Sequence, residues 1–317
     1  MGAGNFEDTM LTLIGGTGFL GKHVCQALDA ERLPARTLSR RPDSFFLEQS
    51  APHIEPIVID SDDAEHALRD ASTIIYMAHA SRPATFEDAP EMEVRENVER
   101  TARLLKHLGP ARLRRFVYLS SGGQIYGNQP ASPISEHTPP APVTAYGMGK
   151  QLLEDLLAFR FRESECGLTI LRLANPVGRH QVGGGHGLVA AAVGAARSGS
   201  ALKIFGEGGN VRDYFDADDF ASFLVNSLSG GTLKDGVFNI GSGVGLTELD
   251  IIGAVEQQLS VRLNVAHAAG RPFDLPYSVL NIDKAVRQLG WSPKTDLQAT
   301  ISRLASHIDN VSSVSRD

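Results

Sequence analysis

The tightest constraint on this chain is a strand that turns through glycines directly into a helix. The apolar run 10–14 passes straight into Gly15-Gly16-Thr17-Gly18-Phe19-Leu20-Gly21, and a helical pattern carried by Phe19, Leu20, Val24 and Leu28 follows. The helix N-terminus offers backbone N–H groups and partial positive charge to phosphate. The glycines divide the work. One permits the tight turn, one lets a pyrophosphate approach the backbone, and one lets helix and strand pack closely. Gly15, Gly18, Phe19, Leu20 and Gly21 are therefore candidate dinucleotide contacts.

Further apolar runs at 35–38, 54–59, 73–77, 116–119 and 168–173 alternate with helix-period stretches. The stretch 91–108 sets Val94, Val98, Ala102 and Leu105 on one face, and 145–161 reads as another helix. Continuous apolar strands separated by helices imply a parallel sheet covered on both faces. Right-handed crossovers then favour a doubly wound α/β sheet of the Rossmann kind. After Asn175 the rhythm changes. A loop carries Gly183-Gly184-Gly185, 188–196 is a small-residue helix, 237–240 a returning strand and 246–259 a capped helix. Residues 283–307 read as two short helices around Leu289-Gly290-Trp291-Ser292-Pro293. The expected organisation is a dinucleotide-binding domain over 1–175, with a returning segment at about 212–245. A smaller C-terminal substrate-binding lobe takes 176–211 and 246–308, followed by a frayed tail from 309.

At 317 residues the chain can bury a large core, and its net charge of -7 argues against a nucleic-acid surface. The two cysteines, Cys25 and Cys166, are far apart, which excludes a disulfide framework and a thiolate zinc site. No metal is expected. No apolar run approaches the ~18 residues that a membrane helix needs. The segment 1–9 lacks the basic start of a signal peptide, so the cytoplasm is the expected compartment.

Two further features carry chemistry. Tyr146 and Lys150 lie four residues apart at the start of a helix, on one face and one turn apart. A phenol has a pKa near 10 and is a poor base at neutral pH. A neighbouring ammonium and a positive nicotinamide ring are expected to lower it, so that Tyr146 can move a proton while hydride leaves or reaches carbon. Ser120 and Ser121 end the preceding strand, and either could supply a hydroxyl there. The second strand ends Leu38-Ser39-Arg40-Arg41, without the acid that holds the adenosine ribose of NAD. NAD and NADP both stay open, with Arg40 or Arg41 tilting the choice to NADP.

With these residues in hand, the chain resembles the extended short-chain dehydrogenase/reductases of the NAD-dependent epimerase/dehydratase family, UDP-glucose 4-epimerase-like. The resemblance runs from Leu11 to about Leu304. It rests on the glycine loop, Ser120-Ser121-Gly-Gly-Gln-Ile-Tyr-Gly, Tyr146-Gly-Met-Gly-Lys150, Leu171-Arg-Leu-Ala-Asn175-Pro-Val-Gly, Phe205-Gly-Glu-Gly-Gly-Asn-Val-Arg212-Asp213-Tyr214, Phe238-Asn-Ile-Gly-Ser-Gly and the Leu-Gly-Trp-Ser-Pro run. It implies that Gly15, Gly18 and Gly21 hold the pyrophosphate and that Asp60 lies by the adenine. Ala78 and Ser81 would line the cofactor, and Asn97 would buttress the sheet near it. Asn175 would face a sugar diphosphate gripped by Arg212 and Arg271, and Asp274 would hold the nucleotide's ribose. Ser278 resembles a gate over the sugar, small enough to admit an N-acetyl group. Two positions depart from the pattern: Gly122 falls where many epimerases carry the catalytic serine, leaving Ser121 for that role, and Arg100 replaces a common glycine.

The resemblance implies a nucleotide-sugar substrate and, first, C4 epimerisation of a UDP-hexose through a transient 4-keto sugar. An NADPH-dependent reductase of a 4-keto nucleotide sugar is the alternative, favoured by the two arginines. A 4,6-dehydratase would carry an acidic pair where Gly123 and Gln124 stand. A non-catalytic dinucleotide sensor would need neither Tyr146/Lys150 nor Arg212. The helices 91–108 and 145–161 resemble the pair through which relatives form a two-fold dimer, so a homodimer is expected.

Overall fold

The computed structural model describes residues 10–41, 51–109, 111–181 and 187–314, with backbone alone for 311–314. The segment 1–9 and the glycine triplet 183–185 lie outside the described residues. Strands run in chain order β1 Leu11–Ile14, β2 Ala35–Ser39, β3 Ile54–Val58, β4 Thr73–Tyr76, β5 Arg115–Ser121, β6 Gly167–Leu173 and β7 Asn175–Val177. They continue as β8 Leu202–Phe205, β9 Val211–Asp216, β10 Gly236–Ile240, β11 Gly245–Thr247, β12 Val265–Ala268 and β13 Tyr277–Ser278. Seven of them form one sheet in the order β10-β6-β5-β4-β1-β2-β3. Every pairing in it is parallel.

Both faces of this sheet are buried, which is why its strands read as unbroken apolar runs. Leu11, Leu13, Ile75, Val117, Leu119 and Leu171 point to one side, where the helices Phe19–Ala30 and Ala217–Ser229 bring Val24, Leu28, Phe220 and Leu224. Ile14, Ile74, Tyr76, Phe116 and Ile170 point to the other, where Ala145–Phe161 brings Leu153, Leu157 and Phe161. Strand order reverses between β1 and β4, so the loops leaving their carboxyl ends diverge and open a crevice.

The stretch 91–108 is not the regular helix that its periodicity suggests. It runs as Pro90–Glu93, a wider π-type segment Val94–Glu99, then Arg100–Leu104, and closes in a tight turn at Leu105–His107. Its buried face is Glu93, Asn97, Thr101 and Leu105, whereas Val94 is 40% exposed. Polar partners decide this. Thr101 Oγ1 shares a 2.6 Å hydrogen bond with Tyr76 Oη, and Asn97 Oδ1 accepts the Ala80 N–H at 2.7 Å.

The smaller lobe has its own core, with Val189, Val193, Leu202, Ile204, Ile251, Val255, Ile301 and Leu304. The helices Leu188–Ser198, Glu248–Leu259 and Leu297–Val314 supply most of it, and Thr247 closes a capping box with Asp250. The last helix is longer than the sequence suggests. Once its packed turns are formed, hydrogen bonding continues through the Ser-rich end, because propagation is far easier than nucleation. Two carboxylates tie the lobes together. Asp216 caps Ala217–Ser229 and also accepts from Thr300 Oγ1 at 2.7 Å and Arg303 Nη2 at 2.6 Å. Asp219 accepts the N–H groups of Lys294 and Thr295 at 2.7 and 2.6 Å. Between them Trp291 is fully buried against Phe215, Phe220 and Phe223, and its Nε1 donates to Gly241 O at 2.8 Å. Trp291→Ala leaves a cavity and an unpaired carbonyl, so denaturant unfolding should show about 3–5 kcal/mol lost.

Candidate active site

The glycine turn shows which glycine does what. Gly15 adopts φ +93°, and a Cβ there would lie 2.8 Å from Ala78 N. A Cβ at Gly21 would collide with Gly15 O and come within 2.6 Å of Gly16 Cα. Both are demanded by the fold itself. Gly18 is different: a Cβ there would meet only Gly15 O, at 3.3 Å. Its bare backbone faces the space a ligand would fill, and it starts the helix Phe19–Ala30 with no side-chain cap. This is the cradle that a pyrophosphate requires.

The crevice beyond the turn has a volume of about 180 Å³ and opens to solvent. Gly15, Gly18, Phe19, Leu20 and Gly21 line one wall, with Met77 and His79 beyond β4. Ser120, Ser121, Tyr146 and Lys150 line the other. Ser120 on this wall has a buried hydroxyl without a hydrogen-bond partner, which leaves it for a ligand to satisfy; Ser81, whose buried hydroxyl is also unpartnered, lies outside the lining. These features fit a dinucleotide. Ala78 abuts the turn and Asn97 anchors the loop after β4, while Arg40, Arg41 and Asp60 are exposed at the ends of β2 and β3, outside this lining.

Thr144 caps the helix Ala145–Phe161 and fixes where Tyr146 emerges. Ser121, not Ser120, is the serine whose hydroxyl bears on the Tyr146 phenol, pulling its pKa down. At the position that resembles the catalytic serine, a Cβ on Gly122 would sit 2.5 Å from Leu280 Cδ1, so a side chain there requires Leu280 to shift. Lys150 is buried, donates to Leu119 O at 2.9 Å, and holds its ammonium 5.7 Å from the centre of the Tyr146 ring.

The electrostatics correct one expectation. In the protein alone Tyr146 is not made acidic. Burial pushes its phenol up to about 12, aided by Glu93 and opposed by the Ser121 hydroxyl. Burial likewise pushes Lys150 down to about 7, against the pull of Glu93 and Glu154. Desolvation outweighs the attraction between the pair, so a phenolate needs charge that arrives with a ligand.

Of the residues expected to meet the sugar nucleotide, Asn175, Arg212 and Ser278 lie elsewhere, on a second sheet in which β9 pairs with β7, β11 and β13. Arg212 in β9 pairs with Ser278 in β13, and β9 also pairs with β7, which starts at Asn175. Asn175 Nδ2 donates to Asp213 O at 2.8 Å, and burial pulls the Arg212 guanidinium below its usual range. Arg271 and Asp274 are not separate groups: the guanidinium grips the carboxylate through two bonds, at 2.9 and 2.7 Å, while stacking 4.2 Å from the Phe205 ring centre. Ser278 is almost fully buried. Arg100 is paired with Glu96 at 2.9 Å.

Sequence reading passed over His79 and Glu93. His79 lines the crevice edge-on to Tyr146, and Glu93 lies 2.8 Å behind it. The available signal was the polar series Glu93, Asn97, Thr101 at four-residue spacing.

Two outcomes test this geometry. Gly15→Ala should lower the unfolding midpoint, whereas Gly18→Ala should leave it unchanged and weaken dinucleotide binding about tenfold or more, measured by fluorescence titration. Lys150 binds fewer protons folded than unfolded between its folded value of about 7 and the ordinary 10.5, so folding stability should rise with pH across that window. Comparing denaturation of wild type and Lys150→Met from pH 7 to 9 isolates the effect, and the variant should lack the rise.

Comparison with known proteins agrees with this layout. A model of the NAD dependent epimerase/dehydratase family matches residues 11–241. The chain is 29% identical to the UDP-glucose 4-epimerase of Mycolicibacterium smegmatis, over 96% of this chain and 100% of that one. It is 26% identical to the dTDP-4-dehydro-6-deoxyglucose reductase of Escherichia coli, over 93% and 96% of the two chains. The crystal structure of the UDP-glucose 4-epimerase of Thermotoga maritima, determined with UDP-glucose, matches with a TM-score of 0.86 and 26% identity, over 96% of this chain and 99% of that one. The chain belongs to the NAD dependent epimerase/dehydratase family.

Proposed function

We propose that this enzyme interconverts the C4 epimers of a UDP-hexose through a transient 4-keto sugar. The observation that carries the reading is the Tyr146 phenol, sharing a wall with Ser121 and one turn from Lys150, in the crevice that the glycine turn opens. The names of the Mycolicibacterium and Thermotoga relatives support the substrate class. When bound, an oxidised nicotinamide dinucleotide supplies a hydride acceptor and a positive charge beside the phenol. Tyr146 then takes the proton of the sugar's 4'-hydroxyl and returns it once the keto sugar has turned its other face. Ser121 holds that oxygen in line, and Lys150 favours the phenolate. Arg212, with Arg271 once released from Asp274, suits the diphosphate, Asn175 the adjoining sugar phosphate, and Asp274 the ribose. Gly15, Gly18, Phe19, Leu20 and Gly21 take the dinucleotide's pyrophosphate, Asp60 its adenine end, and Ala78, Ser81 and Asn97 the far side. NAD is the cofactor the family is named for, and Arg40 and Arg41 are what a 2'-phosphate would need. Mass spectrometry of the copurifying dinucleotide distinguishes the two.

One observation favours a second reading. The Escherichia coli relative is named a reductase of a 4-keto sugar nucleotide, and the exposed Arg40–Arg41 pair suits NADPH. In that case Tyr146 donates its proton and the reduced cofactor exchanges each cycle.

Incubation with UDP-glucose or UDP-galactose, and with the N-acetylated pair that the small Ser278 would admit, should interconvert at least one pair without added NADPH. Tyr146→Phe should abolish turnover while retaining the dinucleotide, and Ser121→Ala should cost about 10²-fold, more than Ser120→Ala. Loss of NADPH absorbance on a 4-keto sugar nucleotide, with no epimer interconverted, would move the assignment to the reductase.

We also infer a two-fold dimer through the helical segments at 91–108 and 145–161, which leave Val94, Leu152 and Phe159 exposed at 40%, 37% and 65%. Sedimentation should give twice the monomer mass, reduced to one in Leu152→Glu.

A further inference from the structure

The Tyr146–Lys150 turn is backed by a carboxylate that the scheme above leaves unused. Glu93 is 0% exposed. Its Oε1 accepts from Asn97 Nδ2 at 2.9 Å and lies 2.8 Å from His79 Nε2, while its Oε2 has no hydrogen-bond partner. The His79 ring stands at 86° to the Tyr146 ring with centres 5.0 Å apart. The helix makes room for this group. A Cβ at Gly149, between Tyr146 and Lys150, would collide with Glu93 Oε1 and sit 2.6 Å from its Cγ. Glycine inside a helix costs about 1 kcal/mol relative to alanine, so this turn forgoes stability to admit a charge. The helix segment that presents Glu93 is widened into π-type turns immediately after it, a distortion common at working sites. Around the carboxylate are His79 from the loop after β4, Tyr118 from β5, and Tyr146 and Lys150 from Ala145–Phe161, with Glu154 one turn beyond. Lys150 feels the carboxylate through its charge while its own hydrogen bond goes to Leu119 O, and Glu154 is already paired with Arg172 at 2.6 Å.

Resting on the reading of Tyr146 and Lys150 given above, we propose that Glu93, held by His79 and Asn97, is a positioning residue that governs the protons of that pair. It keeps the Lys150 ammonium charged and the Tyr146 proton in place until a ligand brings positive charge. Its field acts in the same direction on both groups, upward. Removing the charge while keeping the shape therefore lowers both.

Glu93→Gln retains an acceptor for Asn97 and removes only the charge. In the ligand-free protein, an NMR titration of the Lys150 side chain should give a midpoint near 7 in wild type. In Glu93→Gln that midpoint should lie lower by about one unit, and in Glu93→Asp it should return toward the wild-type value. An unmoved midpoint in a folded Glu93→Gln protein overturns the proposal. Should that variant not fold, Gly149→Ala, which displaces the carboxylate, must lower the midpoint instead, and an unmoved value there is equally fatal. With active wild type, kcat at pH 8 should fall about tenfold in Glu93→Gln with KM little changed, and the alkaline limb should move to lower pH. Wild type inactive on every sugar nucleotide would refute the epimerase reading alone, since the titration needs no substrate.

Discussion

Gly15 turns at φ +93° so close to the backbone of Ala78 that a Cβ would lie 2.8 Å from Ala78 N, which glycine alone avoids. That contact draws the carboxyl ends of β1 and β4 together where strand order reverses, and the crevice exists because the loops leaving those ends part company. The glycine turn, Met77 and His79, and the β5 serines all line that crevice. Gly21 completes it by letting the first helix lie directly on the turn. Gly18 is left open to the crevice, which separates it from the two glycines that serve the fold.

The chemistry follows from burial more than from attraction. Taking Tyr146 and Lys150 out of water discourages both charged forms, and their proximity does not compensate. The protein alone thus holds a reluctant acid beside a weakened base. Such a site is inert until occupied, and interactions present only with the reacting ligand are the ones that accelerate a reaction.

Much of this was legible in the residues. The seven parallel strands announced themselves because burial on both faces leaves apolar runs, and the helix Ala145–Phe161 through its helical period. The glycine turn was legible through its position after the first strand. What escaped has physical reasons. The buried face of 91–108 is polar, so periodicity pointed to Val94 and Val98 while hydrogen bonds buried Glu93, Asn97 and Thr101. Strands β8, β9 and β12 have charged or polar residues among the apolar ones and so lack an apolar run. The helix Ala217–Ser229 was hidden behind the motif preceding it. The direction in which Tyr146 shifts depends on depth of burial, which spacing does not encode. The Arg271–Asp274 pair was read as two separate ligand contacts, because a sequence does not say that neighbours will satisfy each other first.

The double service of Asp216, capping one helix and clasping Thr300 and Arg303 of another, has a consequence for how the molecule is made. The chain crosses between the lobes several times, so neither is a contiguous stretch that could be excised. During synthesis β6 emerges long before β10, its partner on the outer side, and its hydrogen-bonding edge stays bare until then. The indole that seals the joint is translated later still. The nascent chain therefore carries an open, apolar sheet edge through much of its translation, a state in which holding chaperones decide between folding and aggregation.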